Sequence, residues 1–270
     1  MDAFEKEIHE DYAYIVNKGK IYKYLDLKGG ITMLHNCTLL FKNPRYFNDP
    51  YDCYNGLISF ELVPDNYRSY VLQKYSSLIS PEDMGLIINA LNTTSNEQMS
   101  ETYRNILIED VFSHVGLCCF SEEYENLLMW SHYSDAHKGI CIGLDINKLR
   151  PYIASINPVL IKVKYKPDFK AAEYFVNHRQ ALSYCLQTKS VLWEYEKEIR
   201  IALFQLTLNE NHQFLLDMGR EVITEIYLGS KIKPEAEQVI TSICKEKYPM
   251  AKVSRLKLAD NSFNLISEEL

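Results

Sequence analysis

The spacing of apolar residues changes period several times along the chain, and each change marks an element. From Glu5 to Val16 the apolar positions recur every three or four residues, which predicts an amphipathic helix ending near Gly19. Ile21 to Leu25 reads as a strand, Gly29 to Asn36 as a helical turn or short helix, and Thr38 to Lys42 as a second strand closed by Asn43-Pro44. Phe47 to Asp52 is a predicted loop, because its Asn, Asp and Pro break regular structure. Helical periodicity then takes over, with candidate helices at Asp65–Tyr75, Pro81–Leu91 and Asn96–Phe112, the last preceded by the capping run Thr93 to Asn96.

Downstream, His114–Phe120, Gly139–Asp145, Val159–Tyr165, Glu194–Phe204, Val222–Leu228 and Lys252–Leu258 read as strands. Asn126–Ala136, Ala172–Val191 and Pro234–Lys247 read as helices. The predicted strands mostly do not alternate with long crossover helices. That favours an α+β fold, a mixed or antiparallel sheet core carrying a helical insertion near residues 65–112. No internal repeat or Gly/Ser/Pro-rich linker occurs, so residues 1–270 are expected to form one domain.

Composition narrows the function classes. Apolar residues make up 47% of the chain and charged residues 24%, as in ordinary globular proteins. The net charge is −7 and the lysines are scattered, so there is no strong nucleic-acid signature. The seven cysteines are odd in number, widely spaced and mostly beside apolar residues, which predicts reduced, structural thiols and no metal site. No stretch is long and apolar enough to span a membrane, and the acidic start lacks the form of a signal peptide; a cytoplasmic protein without a membrane partner is expected. The 20 tyrosines suit pockets for planar ligands and equally suit half-buried surfaces.

Candidate chemistry lies in three segments. In the first, Tyr22 and Tyr24 share one strand face and Lys23 points to the other, followed by the turn holding Asn48 and Asp49. Asn48 suits a bond to an amide or ribose, although both turn residues also serve as turn formers. In the second, Trp130, Tyr133 and His137 fall at i, i+3 and i+7 of a predicted helix, with His132 on a neighbouring stripe. That face suits stacking on a planar ring plus an imidazole, or simple aromatic packing. In the third, a strand over Glu194–Phe204 places Glu194, Glu196, Glu198 and Arg200 on one face, neighbours about 6.6–6.8 Å apart. Like charges so arranged call for a compensating cation or a protonated carboxyl, with Arg200 the partner of Glu198. The competing reading is a solvated edge strand.

The motifs Ile21-Tyr-Lys-Tyr24, Phe47-Asn-Asp-Pro-Tyr-Asp52, Cys119-Phe-Ser121, Met129-Trp-Ser-His-Tyr133, His137-Lys-Gly139 and Trp193-x-Tyr-Glu-x-Glu-x-Arg200 resemble, in order and spacing, a widespread bacterial family known only as a domain of unknown function. The layout also resembles the ADP-ribosyltransferase fold. That second resemblance implies NAD as substrate, a catalytic carboxylate in Glu196-x-Glu198, and His132 and Tyr133 as further catalytic candidates. Tyr22, Lys23, Tyr24, Asn48, Asp49, Trp130, His137 and Arg200 would then bind the nucleotide.

Three function classes follow. The first is an NAD-using ADP-ribosyltransferase or NAD-glycohydrolase, of the toxin or anti-phage effector kind, taking a nucleotide-like small molecule and an unspecified macromolecular acceptor. The second is a nuclease-like or phosphate-handling enzyme using Asp49, Asp52, Glu196 and Glu198 with a divalent metal. The third is a non-catalytic sensor of a nucleotide or protein.

Overall fold

The computed structural model describes residues 3–63 and 80–270. Among them the fold is α+β, built on a mixed, mostly antiparallel sheet. The candidate helix Asp65–Tyr75 lies outside the described residues. The rest of the expected insertion is helical, through α3 (Pro81–Thr93) and α4 (Asn96–Ile106). Ser95 and Gln98 close a reciprocal capping box on α4.

The central strands are β1 (Lys20–Leu25), β2 (Thr38–Lys42), β4 (Gly116–Ser121), β5 (Ile140–Asp145), β10 (Glu198–Leu203) and β12 (Ile223–Leu228). They form the order β2-β4-β1-β5-β12, with β10 on the other edge of β4. β6 (Val159–Lys162) extends the sheet beyond β10, β11 (Gln213–Asp217) beyond β2, and β13 (Lys252–Leu258) and β14 (Leu265–Glu269) beyond β12. β12 and β13 run parallel, joined by helix α8 (Pro234–Lys247), as a parallel pair requires a crossover.

Register follows from which face is greasy. Ile21, Ile142, Leu144, Ile199, Ile201 and Ile226 all point to one face, where α1 (Ala3–Lys18), α2 (Leu27–Asn36), α6 (Ile146–Ile153) and α8 cover them. Each such side chain contributes roughly 1.5–3 kcal/mol by burial, so a one-residue slip, which would turn the whole set outward, is strongly disfavoured. The opposite face carries two separate clusters. One gathers Leu117, Ile161 and Ala202 with α7 (His178–Gln187). The other gathers Tyr24, Cys141 and Tyr227 with α5 (Leu127–Tyr133).

Several expected elements take a different form. Val159–Tyr165 is two strands: β6 pairs β10, then Val163 N–H donates to Glu198 O (3.0 Å) and the chain continues as β7 (Lys164–Lys166). Within Ala172–Val191 only α7 is helical, capped by Asn177. Residues after it form β9 (Thr188–Ser190), parallel to β7. The expected strand Glu194–Phe204 starts only at Glu198, because its partner β4 ends opposite it at Ser121. Val191–Glu196 is instead a 3-10 helix that ends at Lys197 with φ 44°. Glu194 is therefore exposed and does not share a face with Glu198 and Arg200. None of the seven cysteines is paired. No described helix is long and apolar enough to cross a membrane.

Candidate functional site

The sheet splits beside β4. One edge of β4 is fully paired with β10. On the other edge β1 meets it only at Tyr22–Ser121, and β2 only at Lys42–Leu117. Between these two points the strands diverge, and a cleft of about 410 Å³ opens. Lys23 Nζ closes part of the exposed strand edge by donating to Cys119 O (2.8 Å).

Aromatic rings line the cleft: Tyr22, Tyr24, Tyr46 and Phe47. The hydroxyls of Tyr22 and Tyr24 are engaged elsewhere, donating to Glu225 Oε2 (3.2 Å) and Glu123 O (3.0 Å). Asn48, exposed, also lines it.

At the Ser121 end, five charged side chains form a buried network. Arg200, fully buried, donates through Nε and Nη2 to Glu198 (2.7 and 2.9 Å), through Nη2 to Asp52 (2.8 Å) and through Nη1 to Leu186 O (2.8 Å). Lys189 Nζ donates to Glu196 (2.6 Å) and Glu198 (3.0 Å), and lies 3.4 Å from Asp52. Tyr133, on the last turn of α5, donates its hydroxyl to Glu196 Oε1 (2.5 Å). Asp52, Lys189, Glu196 and Glu198 all reach the cleft wall, whereas Arg200 stands behind it.

The turn carrying Glu196 is fixed from three sides. Ser121 Oγ donates to Glu196 O (2.8 Å) and Asn126 Nδ2 to Tyr195 O (2.8 Å), while Glu198 N–H donates to the Tyr165 hydroxyl (2.8 Å). The two glutamates consequently differ in character. Burial pushes the Glu196 carboxyl above the usual carboxylate value, and Lys189 offsets this only in part. Burial acts on Glu198 too, but Arg200 and Lys189 outweigh it and hold its carboxyl far below that value. For Lys189, burial alone would favour the neutral amine; Glu198, Asp52 and Glu196 reverse this and keep it charged. Burial and the neighbouring Glu196 raise the Tyr133 phenol, so it stays a donor. Counting three carboxylates against two cations, the network carries a formal charge of −1 when fully ionised.

The three sequence segments thus meet, but not with every expected residue. Tyr22, Lys23, Tyr24, Asn48, Tyr133, Glu196 and Glu198 line one cleft. His132 is exposed, its Nδ1 2.9 Å from the Tyr195 hydroxyl, outside the cleft. Trp130 is fully buried in the core, donating Nε1–H to Tyr124 O (2.6 Å). His137 does not continue the helix face of Trp130 and Tyr133, because α5 stops at Tyr133 and Asp135, Ala136 and His137 all take positive φ. This turn delivers Gly139 to Leu25 O, where a Cβ would come within 2.2 Å of the carbonyl oxygen. Burial, and then Lys231, lower the proton affinity of His137, which stacks on Trp130. Asp49 Oδ1 accepts from Tyr51 N–H (2.9 Å), a turn-building role beside the cleft.

Lys189, five residues before Glu194, is not among the candidate site residues read from the sequence. A lysine followed directly by Ser190-Val191-Leu192 was the available signal. Asp52 entered only as a possible metal ligand. The Lys189 ammonium occupies the space among Asp52, Glu196 and Glu198, and among the described residues no group of His, Cys, Asp and Glu is arranged to hold a metal ion.

The protein is thus an α+β chain whose split sheet holds an aromatic cleft with a buried ionic network at one end. Residues 129–201 match the model of a family described as protein of unknown function (DUF2971), which meets the likeness to a domain of unknown function expected from the motifs. The matched stretch contains Tyr133, Lys189, Glu196, Glu198 and Arg200; the motifs around Tyr22–Tyr24, Asn48 and Cys119 precede it. No curated protein and no solved structure matches the chain.

Proposed function

We propose that the cleft binds a nicotinamide dinucleotide and that Glu196 promotes cleavage of its N-glycosidic bond. The observation that carries this reading is the Glu196 carboxylate, fixed by Tyr133 and Lys189 on the wall of a cleft lined by aromatic rings. The nicotinamide of NAD is a planar cation. The rings offer it stacking surfaces and the network's formal charge of −1 offers it a counter-charge. As the C1′–N bond breaks, its electron pair leaves with nicotinamide and positive charge moves onto the ribose. A carboxylate at the ribose hydroxyls then binds more strongly than in the ground state. Water adds to C1′ and gives up a proton, for which the raised affinity of Glu196 is suited.

Charge is distributed to match. Lys42 and Glu198 lie on the same sheet face, opposite Leu117 and Ser121 respectively. Those positions are four residues apart on β4, about 13–14 Å along the strand. A ligand with a cationic ring at one end and phosphates further along fits this polarity. His132 has no part in this reading, and Lys189 pairs with three of the four carboxylates that the metal-dependent alternative would use, Asp52, Glu196 and Glu198.

The test is nicotinamide release from NAD, paired with calorimetric binding of NAD. Wild type is expected to bind and hydrolyse, and Glu196→Gln to bind with turnover reduced about 10²-fold or more. Absence of NAD binding by the wild type would refute the reading. Binding without release would replace it with a sensor role.

A further inference from the structure

A second cavity, about 300 Å³, lies behind Lys189. In β9 alternate side chains point to opposite sides, and Lys189 faces the carboxylates. Thr188 and Ser190 therefore face away from them, and both line this second cavity. Thr188 is 4% exposed, and its hydroxyl has no hydrogen-bond partner among the described residues. A buried hydroxyl left in that state costs about 1–3 kcal/mol, so it marks a place where a ligand atom would recover a lost bond.

Two further features say what kind of ligand. Lys166, half-buried on the cavity wall, has its ammonium 4.5 Å from the centre of the Tyr184 ring and pairs with no carboxylate among the described residues. Asp168 stands at the exposed rim, where water screens its charge. At the mouth, Tyr51 (60% exposed) and Phe169 (43% exposed) line the cavity, and each meets the exposed ring of Tyr54 nearly edge-on. Three exposed rings in edge-on contact offer aromatic surface for a flat group.

We propose that this cavity is a second ligand site, for a mononucleotide-like anion whose phosphate meets Lys166 and Thr188 and whose ring packs against the aromatic surface of Phe169 and Tyr51. The site does not depend on what the main cleft binds. Because β9 presents Thr188 to this cavity and Lys189 to the carboxylates, occupancy bears on the strand that positions the Lys189 ammonium.

Calorimetry with inorganic phosphate and with adenosine 5′-monophosphate tests the proposal on the full chain. The nucleotide is expected to bind at least tenfold tighter than phosphate. Thr188→Val should weaken both about tenfold while Thr188→Ser, which keeps the hydroxyl, restores binding. Phe169→Ala should weaken only the nucleotide, and Lys166→Met should weaken both. Tyr46→Ala, a change on the wall of the main cleft alone, should leave both unchanged, which separates this site from that cleft. The proposal is overturned if neither probe binds, if the nucleotide binds no tighter than phosphate, or if binding follows Tyr46 and ignores Thr188 and Phe169.

Discussion

Replacing Lys189 with methionine removes one charge and keeps most of the side-chain volume, so it isolates the electrostatic role of the buried ammonium. In the wild type, Lys189 lies 2.6, 3.0 and 3.4 Å from Glu196, Glu198 and Asp52. Without it, Arg200 alone faces three carboxylates, and the formal charge of the network moves from −1 to −2. Removing one partner from a buried ion pair costs about 3–5 kcal/mol, since the remaining charge is stranded. The loss should depend on pH with a definite sign. The Glu196 carboxyl already titrates above its ordinary value when folded, so the folded state takes up a proton more readily than the unfolded chain. Loss of Lys189 moves it further up. Lys189→Met should therefore be most unstable near pH 8 and recover as the pH falls toward the unfolded carboxylate value, at up to about 1.4 kcal/mol per pH unit for one proton. Glu198 has the opposite sign. Its depressed affinity contributes stability that is lost only as pH falls through its own low value, below this window. Urea titrations at pH 8 and pH 5.5 measure the effect. A loss below about 1 kcal/mol at pH 8, or an equal loss at both pH values, would refute the account of the network.

Two other outcomes separate the glutamates and the backbone. Glu198→Gln breaks the paired contact with Arg200 and should cost about 3–5 kcal/mol, whereas Glu196→Gln leaves two anions against two cations and should change stability by less than about 1 kcal/mol in either direction; melting curves of the pair decide this, and equal losses would contradict the division of roles. Gly229→Ala would place a Cβ 2.1 Å from His137 O, so it should cost at least about 1–3 kcal/mol or prevent folding. A wild-type melting temperature in that variant would show that the turn packs differently.

How much was legible in the sequence depended on whether a signal was local. Thr38–Lys42, Pro234–Lys247 and Lys252–Leu258 match their elements residue for residue, because alternation, an N-terminal proline and apolar periodicity lie within the element itself. The α+β class followed from the spacing of such elements. β11 and β14 were missed: Gln213–Asp217 and Leu265–Glu269 are edge strands defined by pairing with β2 and β13 and carry little pattern of their own.

The site divides the same way. Its residue types were visible in the sequence: tyrosines on β1, Asn48 in a turn, Tyr133 on a helix and glutamates near residue 196. Their arrangement was not. Read as one strand, Glu194 to Arg200 put four charges on a single face; the tertiary structure ends β10 where β4 ends, exposes Glu194 and folds Glu196 back toward Tyr133. Lys189 and Asp52, 137 positions apart in sequence, become neighbours only because β9, β10 and the loop after β2 converge at the split. Periodicity reports which face of an element is apolar. Which charges are paired inside depends on contacts between elements distant in the chain, and burial gives those contacts their strength.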